Sequence, residues 1–584
     1  MDISVNDAFL DLSEQLYPEA TLSNALFSRA GALTAPVSLP ASERNLEIFN
    51  HPERPDRDIG YGNTFDARIH SAEIKQCRMQ IASAHEIDGI DATLYFDEGD
   101  FYSRAKEFKL NQLSLVRDEW GANITNLLDW LMRVMREEVE DDFMLFPVCL
   151  ELEEGDSQSS PPVPARGIIL NATEDTGGPT ETFIAYNPQT ETIDGVDITL
   201  PVGYAVSPFL KFHAVLKMAV EHFGYSLLNN PWESDPHLKR MVFLNNTADA
   251  CLKDSGMLDY SQLLPSITVT GLLDICLAKG YVAYINSAAM TVRFVSIPDI
   301  INSNPATELT SVLSSRITAF YDAGKHLSLS AETIESASPN FESYEEMWKS
   351  YKTYGNFLYW DEDQFNNLPS SSSYFNAVRN STGDYYLIKS GTNVKYRKKI
   401  SSPYFSRVPA AGETQAFDSV EKFVAVDFPD IPGKTSGRLM PMYLIGATHY
   451  NSAVERDGSL IEEQKQDELA ATLCYGYGLV PSKKYFFGST RCYDPAGEPV
   501  MYAWSSIDIV SPTGYYGLFF RELERFLLKG VRIEAELNMS PVEIESLDLS
   551  KSVRIKNQRY LIEEIVYQIG NEQTPARLTA WPNT

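Results

Sequence analysis

Two glycine-containing runs match part of a nucleotide-binding motif, but each lacks a residue that the chemistry requires. A phosphate-binding loop has the pattern Gly-x-x-x-x-Gly-Lys-Thr. The Gly-Lys-Thr run at residues 433–435 would therefore need a glycine at position 428, where the chain has Phe428. The Gly-Tyr-Gly run at residues 476–478 begins a dinucleotide fingerprint, but Pro481 occupies the position of the third glycine. The sequence therefore predicts no nucleotide cofactor.

Metal sites need several His, Cys, Asp or Glu side chains that converge at fixed spacing. His213 and His222 lie on one predicted helix, but their spacing does not place them on one face a turn apart. We predict both as histidines at the edge of a core. The acidic run at residues 361–363 begins like a calcium loop, but Phe365 and Asn366 replace the fifth ligand and the glycine. No catalytic metal is expected.

Catalytic patterns are equally incomplete. The sequence has no Gly-x-Ser-x-Gly elbow and no His-Glu-x-x-His run. Acid pairs such as Asp97 and Glu98 could supply the two carboxylates of a glycosidase, but a chain with 80 acidic residues contains such pairs by chance. The predicted catalytic, cofactor-binding and metal residues are therefore none, and the predicted class is not an enzyme.

An aromatic-rich region at residues 340–405 leaves a second function open. Its rings could form a stacking platform for a polysaccharide, which this chain would bind or cleave. The same rings could form the core of an inserted β domain, which the sequence favours. The residues concerned are Trp348, Tyr351, Tyr354, Tyr359 and Trp360.

The charge of the chain limits its partners. The formal net charge is −31, which repels phosphate backbones and argues against a dedicated nucleic-acid binder. The six cysteines have no Cys-x-x-Cys spacing, and several lie in apolar surroundings, so we predict small buried residues in a reducing compartment. The first residues of the sequence lack the basic segment and the following apolar run of a signal peptide. No uninterrupted apolar stretch reaches the length of about 18 residues that a membrane-spanning helix needs. We predict no signal peptide and no membrane insertion.

Any functional site must be positioned by helices and strands, and the clearest of these belong to a unit that occurs twice, at residues 207–228 and 268–285. Each copy is predicted as a helix, a Gly-Tyr stop and a strand, with Ser207 as the first cap and Pro208 as the first helical residue. Each helix has an apolar stripe. The stripes are Phe209, Phe212, Leu216, Ala219, Val220 and Phe223, and then Val269, Leu272, Leu273, Cys276 and Leu277. A chance echo within an ordinary α+β core stays possible.

Turn residues and composition divide the chain into five predicted segments. Residues 1–60 are an N-terminal arm, with disorder as the alternative, and 61–205 are a β-rich domain with one helix. Residues 206–305 are an α+β domain that holds the repeated unit, and 306–460 are an aromatic-rich β insertion or extra domain. Residues 461–584 are a C-terminal α+β domain. The predicted class is α+β and β-rich, with several domains.

The C-terminal segment has the clearest pattern. Residues 515–529 predict a helix that stops at Gly530, and residues 531–537 alternate as a strand with one buried face. Ser540 and Glu543 form a predicted capping box, and a final hairpin turns near residues 556–558.

Several runs resemble tail proteins that phages and prophages of Bacteroidetes encode, and in particular the hub proteins of phage baseplates and tail tips. The runs are residues 142–148, 240–247, 264–269, 517–529, 531–537, 549–555 and 559–562. The resemblance covers about half of the chain and contains no catalytic motif; residues 306–460 match nothing in it. It implies small β-barrel and α+β domains and a place at the distal end of the tail tube.

The hub resemblance also implies partners. It predicts a homotrimeric ring that contacts the tail tube and other baseplate or spike proteins within the virion tail. Three copies would bring about 93 negative charges together, which opposes association unless large apolar interfaces offset the repulsion. An acidic lumen would let DNA pass without specific binding, because phosphates find no basic cluster there.

Overall fold

The computed structural model describes most of residues 2–334 and 514–583, together with separate strands between residues 375 and 489. Within the first two ranges, it does not describe residues 7, 13–18, 29–32, 57–63, 71–73, 97, 154–165, 175–181, 194–195, 253–255, 287–288, 331 and 570–573. The described part is rich in strands and contains helices, which confirms the α+β, β-rich, multidomain class.

The described helices are short. They are α1 (Glu43–Ile48), α2 (Glu98–Glu107), α3 (Ile124–Met135), α4 (Phe212–His222), α5 (Pro231–Ser234), α6 (Val269–Ala278), α7 (Ile297–Ile301), α8 (Arg521–Leu528) and α9 (Pro541–Glu545). A π-helical turn at Tyr516–Phe520 precedes α8.

The strands of the first 200 residues are β1 (Asp2–Val5), β2 (Ala8–Phe9), β3 (Glu19–Ser23), β4 (Leu33–Leu39), β5 (Thr64–His70), β6 (Ile74–His85), β7 (Gly89–Phe96), β8 (Val116–Arg117), β9 (Phe143–Met144), β10 (Val148–Glu153), β11 (Arg166–Leu170), β12 (Thr173–Glu174), β13 (Thr182–Phe183), β14 (Gln189–Ile193) and β15 (Val196–Leu200). The central strands are β16 (Phe209–Leu210), β17 (Ser226–Asn229), β18 (Met241–Leu244), β19 (Leu258–Asp259), β20 (Tyr281–Asn286), β21 (Thr291–Ser296), β22 (Thr307–Glu308), β23 (Thr318–Tyr321), β24 (Lys325–Ser330) and β25 (Glu332–Ile334).

The later strands are β26 (Phe375–Arg379), β27 (Tyr385–Lys389), β28 (Lys395–Lys398), β29 (Ser406–Arg407), β30 (Glu413–Ala416), β31 (Lys422–Val424), β32 (Asp427–Phe428), β33 (Met440–Pro441), β34 (Thr472–Val480), β35 (Tyr485–Ser489), β36 (Val531–Leu537), β37 (Val553–Ile555), β38 (Gln558–Gln568) and β39 (Ala576–Pro582).

One large sheet joins the two ends of the described chain. Its order is β2-β1-β5-β6-β7-β4-β3-β38-β39-β36-β23, and β37 and β22 extend it beside β38. The antiparallel pairing of β3 with β38, which sets Ala20 opposite Tyr567, links the N-terminal strands to the C-terminal ones. The inner face of this sheet packs on α7 and α8 in one apolar core.

The N-terminal segment, predicted as an arm that lies on a neighbour or on later domains, contributes strands to the large sheet. Strands β1 to β4 all lie in the large sheet, and the buried side chains of Ile3, Val5 and Ala20 contribute to its core. The prolines that indicated a loose segment are compatible with this arrangement, because Pro36 stands in β4 opposite Thr93 of β7. Long-range pairing therefore overrides the local turn signals. The five predicted boundaries themselves stay predictions.

The segment at 61–205 has two helices of two turns or more, α2 and α3, where the sequence predicted one. The second corresponds to the predicted helix, and Asn123 caps it by accepting hydrogen bonds from Thr125 and Asn126. The sequence analysis missed α2 because this helix buries only Phe101 and Ala105 among its described side chains, which is too narrow a stripe for a clear helical period.

The two Gly-Tyr units pack together in one α/β region, as predicted. Helices α4 and α6 bury most of their stripes in the same apolar core, whereas Leu277 joins the core of the large sheet. Strands β17, β21 and β20 form one small sheet. Thr268 caps α6 by accepting a hydrogen bond from the Gly271 N–H at 3.1 Å. The first cap was wrong: α4 begins at Phe212 after Lys211, because residues 209–210 form β16 against β9.

The long strand β34 belongs with the middle of the chain and not with the C-terminal strands. It pairs antiparallel with β18, parallel with β31, and antiparallel with β35. The C-terminal predictions are confirmed elsewhere: Gly530 has φ +59°, and β36 alternates buried and exposed side chains toward its end. Ser540 and Glu543 form the capping box.

The two stop glycines offer a matched test of packing in this region. Gly224 and Gly280 have φ of +83° and +85°, so alanine carries the same left-handed strain at both. A Cβ on Gly224 would meet only the Met290 side chain at 3.5 Å, whereas a Cβ on Gly280 would lie 2.3 Å from the Phe519 ring.

We expect Gly224→Ala to lower the free energy of unfolding by about 1 kcal/mol and Gly280→Ala to lower it by about 3 kcal/mol, because only the second forces the π-helical turn away from α6. Chemical denaturation of both variants measures the difference. Equal losses would contradict this packing of Phe519.

Candidate functional site

Several residues of the sequence analysis lie outside the described residues. These are the aromatic residues at 348–360, the calcium-like run at 361–366 and the Gly-Lys-Thr run at 433–435. Asp97 is also outside them, and the structure describes the backbone of Glu98 but not its side chain. The polysaccharide platform and the acid pair therefore stay predictions.

The two histidines of α4 lie in different surroundings. His213 is buried, and burial, together with the nearby charges of Lys211 and Lys239, lowers its pKa to about 4. His222 stacks on Phe108 with ring centroids 4.1 Å apart, and burial again lowers its pKa. Among the described residues, no three His, Cys, Asp or Glu side chains form a group that could hold a metal ion.

Other singled-out residues have structural surroundings. Cys77, Cys251, Cys276 and Cys474 are buried as thiols. Gly476 lies inside β34, where a Cβ would come within 2.8 Å of the Phe146 ring, so close packing explains this glycine. In the described part of the chain, no helix has the length and apolar character of a membrane span.

The edge of the large sheet at β23 is exposed and uncharged. All four of its side chains are exposed, and Tyr321 is exposed to 82%. Within the described residues β23 pairs only with β36, so its outer N–H and C=O groups face away from the sheet. Edge strands of this kind are templates for pairing with another chain unless charges or prolines protect them, and β23 has neither.

A cleft of about 690 Å³ lies between the sheet and helices α2 and α6. One wall is a polar face of β5, β6 and β7, formed by cross-strand neighbours: Thr64 lies opposite Gln80, and Arg78 lies opposite Tyr95. The Arg78 guanidinium donates to the Thr64 hydroxyl at 3.3 Å, and the Tyr95 hydroxyl donates to the Gln80 amide oxygen at 3.1 Å.

The opposite wall of this cleft combines charged and apolar groups. Helix α2 contributes Arg104, Lys106 and Glu107, and α6 contributes Asp274 and Leu273. Its described lining contains no histidine, cysteine or serine to act as a nucleophile or a base near neutral pH.

A second cleft, of about 340 Å³, lies where the end of α3 meets the start of α4. Its lining contains three cations, Lys211, Lys239 and Arg240, and three carboxylates, Glu137, Glu140 and Asp141. The Glu140 carboxylate lies 2.5 Å from the Lys239 ammonium and 3.8 Å from that of Lys211. The Arg240 guanidinium donates to both oxygens of Glu137, at 2.6 and 3.5 Å.

Positive and negative side chains balance in the lining of this second cleft. Lys211 is only 7% exposed, and burial lowers the pKa of its ammonium, an effect that Glu140 opposes. The hydrogen bond from Lys239 lowers the pKa of Glu140, so this carboxylate stays ionised.

The sequence analysis placed no binding site at either cleft, although weak signals exist. Arg78 and Gln80 alternate with the buried Met79 and Ile81, which marks a polar sheet face. Lys211 stands inside an apolar run, where a buried lysine requires a counter-charge. Neither pattern identifies the helix that covers this sheet face or the acidic residue that pairs with Lys211.

No protein-family model matches this chain, and no curated protein matches it. Among solved structures, it is similar to the 43 kDa tail protein of prophage MuSo2 from Shewanella oneidensis, with 7% sequence identity and a TM-score of 0.31. The alignment covers 100% of this chain and 98% of that chain. A TM-score this low carries no argument about the fold or the function.

Proposed function

We propose that this chain is a structural protein of a phage tail, and more specifically the hub of a baseplate or tail tip. The runs that resemble such proteins support the proposal. They form the π-helical turn, α8 and strands β36 to β38, together with β18 and β9 of the central region. The hub would join the tail tube to the distal spike or fibre apparatus within the virion tail.

The observation that carries the assembly part of the proposal is the exposed edge at β23. Pairing of this edge with a different surface of the next copy is a heterologous contact, and heterologous contacts close into rings when the rotation allows it. The exposed aromatic rings of Phe320 and Tyr321 add the apolar contact that two acidic chains need. We therefore propose a closed homo-oligomer, most simply a trimer, with an acidic lumen.

We expect the parent protein to sediment as one species near three times its chain mass of 65.5 kDa at micromolar concentration and moderate salt. Tyr321→Lys should weaken self-association about thirtyfold, because a central interface tyrosine contributes about 2 kcal/mol and an edge lysine opposes strand pairing. Sedimentation velocity over a concentration series measures both effects.

The matched control is Ile87→Lys, which places the same charge on an 89% exposed side chain in the β6–β7 turn and should sediment like the parent. A parent protein that stays monomeric, also after addition of a tail-tube protein, would rule out the ring. A ring that Tyr321→Lys leaves intact would exclude β23 as its interface.

A further inference from the structure

A second exposed and uncharged edge lies on the small sheet of the Gly-Tyr units. Its strand β17, with the sequence Ser-Leu-Leu-Asn, pairs within the described residues only with β21, on one side. Three of its four side chains are exposed, and Leu228 is exposed to 64%. Like β23, this strand contains neither a charged residue nor a proline that would oppose pairing with another chain.

The open edge of β17 is held in place by its own sheet. The Ser226 N–H donates to the Met290 carbonyl oxygen at 2.8 Å. At the other end, where the pairing with β21 has a bulge, the Asn229 side chain donates to the Phe294 carbonyl oxygen at 2.7 Å and accepts from the Phe294 N–H at 2.9 Å. A strand fixed at both ends presents an ordered edge, so pairing with a partner strand needs little further ordering.

The edge of β23 matches it. Both strands are four residues long, so each can cover the other. The Asp322 N–H donates inward to the Gly530 carbonyl oxygen at 2.7 Å, so the alternation of an antiparallel pair directs the N–H and C=O groups of Ala319 and Tyr321 outward. The Asp322 carboxylate lies 3.5 Å from the Arg532 guanidinium, which offsets its charge beside this edge.

The charges that flank the two edges are of opposite sign. Arg316 precedes β23 and Lys325 follows it, and both are exposed. Glu221 precedes β17 and Glu233 follows it, and both are exposed. The ion pair of Glu221 with Lys217, at 3.9 Å between exposed groups, is weak. A cation therefore meets a carboxylate at each end whichever way the strands run, which favours this contact between two acidic chains.

We propose that β17 is the surface of the next copy that receives β23. This inference rests on the ring proposed above and specifies its contact: β23 of one copy pairs with β17 of its neighbour, and the rings of Phe320 and Tyr321 pack beside Leu228. Because the two edges are different surfaces, the contact is heterologous and repeats from copy to copy until the ring closes.

Cysteine cross-linking tests this contact directly. Ser226→Cys and Ala319→Cys are conservative changes at exposed positions of the two edges. When the two strands are aligned, these positions lie within about two residues, or about 7 Å, of each other in either direction of pairing. A short bismaleimide reagent should join the double variant into covalent dimers and trimers on a denaturing gel, whereas each single variant should stay monomeric.

Two further double variants are the controls. Ala319→Cys with Ile87→Cys places the second cysteine on an exposed turn and should give no more cross-linked product than the parent. Ala319→Cys with Ala8→Cys tests β2, at the other end of the large sheet. Cross-linking through Ala8→Cys and not through Ser226→Cys would overturn the assignment to β17. Cross-linking of Ala319→Cys alone would mean that two β23 edges meet, and would also overturn it.

Sedimentation velocity separates this inference from the ring itself. A parent protein and an untreated double variant that both sediment as rings, without cross-linking through Ser226→Cys, would overturn only the contact, whereas a monomeric parent would overturn both proposals. Leu228→Lys should weaken self-association about tenfold, because a lysine on the edge opposes strand pairing and an exposed apolar contact is lost. Unchanged self-association of this variant would exclude β17. Near-ultraviolet circular dichroism confirms that each variant folds.

Discussion

Leu216→Asp is expected to lower the free energy of unfolding by about 4 kcal/mol. The Leu216 side chain is fully buried on α4, in the core that the two Gly-Tyr units share. An aspartate there loses the apolar contacts and either buries an unpaired charge or takes up a proton. Denaturant unfolding followed by tryptophan fluorescence measures the loss. Trp232 reports on this core, because its ring centroid lies 5.0 Å from that of Phe212, which is on the same helix as Leu216.

Lys217→Ala is the control for that substitution, since it changes the neighbouring residue on the exposed side of α4. It removes only the ion pair with Glu221 at 3.9 Å, which contributes less than about 0.5 kcal/mol.

Leu273→Asp on α6 tests the second unit and should also lower the free energy of unfolding by several kcal/mol. If Leu216→Asp and Leu273→Asp both unfolded at the parent's denaturant concentration, the shared core would be incorrect.

Asn24→Ala is expected to lower the free energy of unfolding by about 3 kcal/mol. The Asn24 amide group is fully buried where β3 ends, and it donates hydrogen bonds to the carbonyl oxygens of Leu549 and Ile562, both at 2.9 Å. Its oxygen accepts from the Tyr284 hydroxyl at 2.9 Å and the Leu26 N–H at 3.0 Å. One side chain thus connects three distant parts of the sequence, and alanine leaves all four partners buried.

The contributions at this junction can be separated. Tyr284→Phe removes one donor and should cost about 1 kcal/mol. Asn538→Ala changes an exposed asparagine just after β36 and should leave stability within about 0.5 kcal/mol of the parent. A small loss for Asn24→Ala, no larger than that for Asn538→Ala, would mean that the segment after β3 does not dock between the central and C-terminal strands.

The elements that the sequence predicts well are those whose signals are local. The α6 stripe, the stop at Gly530 and the alternation in β36 depend on residues within a few positions of one another. The missed elements depend on distant partners. Strand β3 is five residues long and becomes a strand through β38, and the residues before α4 form β16 because β9 lies beside them.

The candidate surfaces were less accessible to sequence reasoning than the fold. The exposed β23 has the composition of an ordinary short strand, and only its position at the edge of the sheet gives it significance. The second cleft depends on Glu140, which lies after α3, and Lys239, which lies in a 3-10 turn before β18. Charge counts show an acidic chain, but they do not show where its lysines and arginines meet.

The pairing of β3 with β38 determines when the large sheet can be completed during synthesis of the chain. More than 500 residues separate the two strands, so the large sheet cannot close until residues 558–582 have left the ribosome. The small sheet of the Gly-Tyr units pairs within residues 226–296, so its strands can meet while synthesis continues. Until β38 is synthesised, β3 stays the open edge of the part of this sheet that β1 to β7 form within residues 2–96.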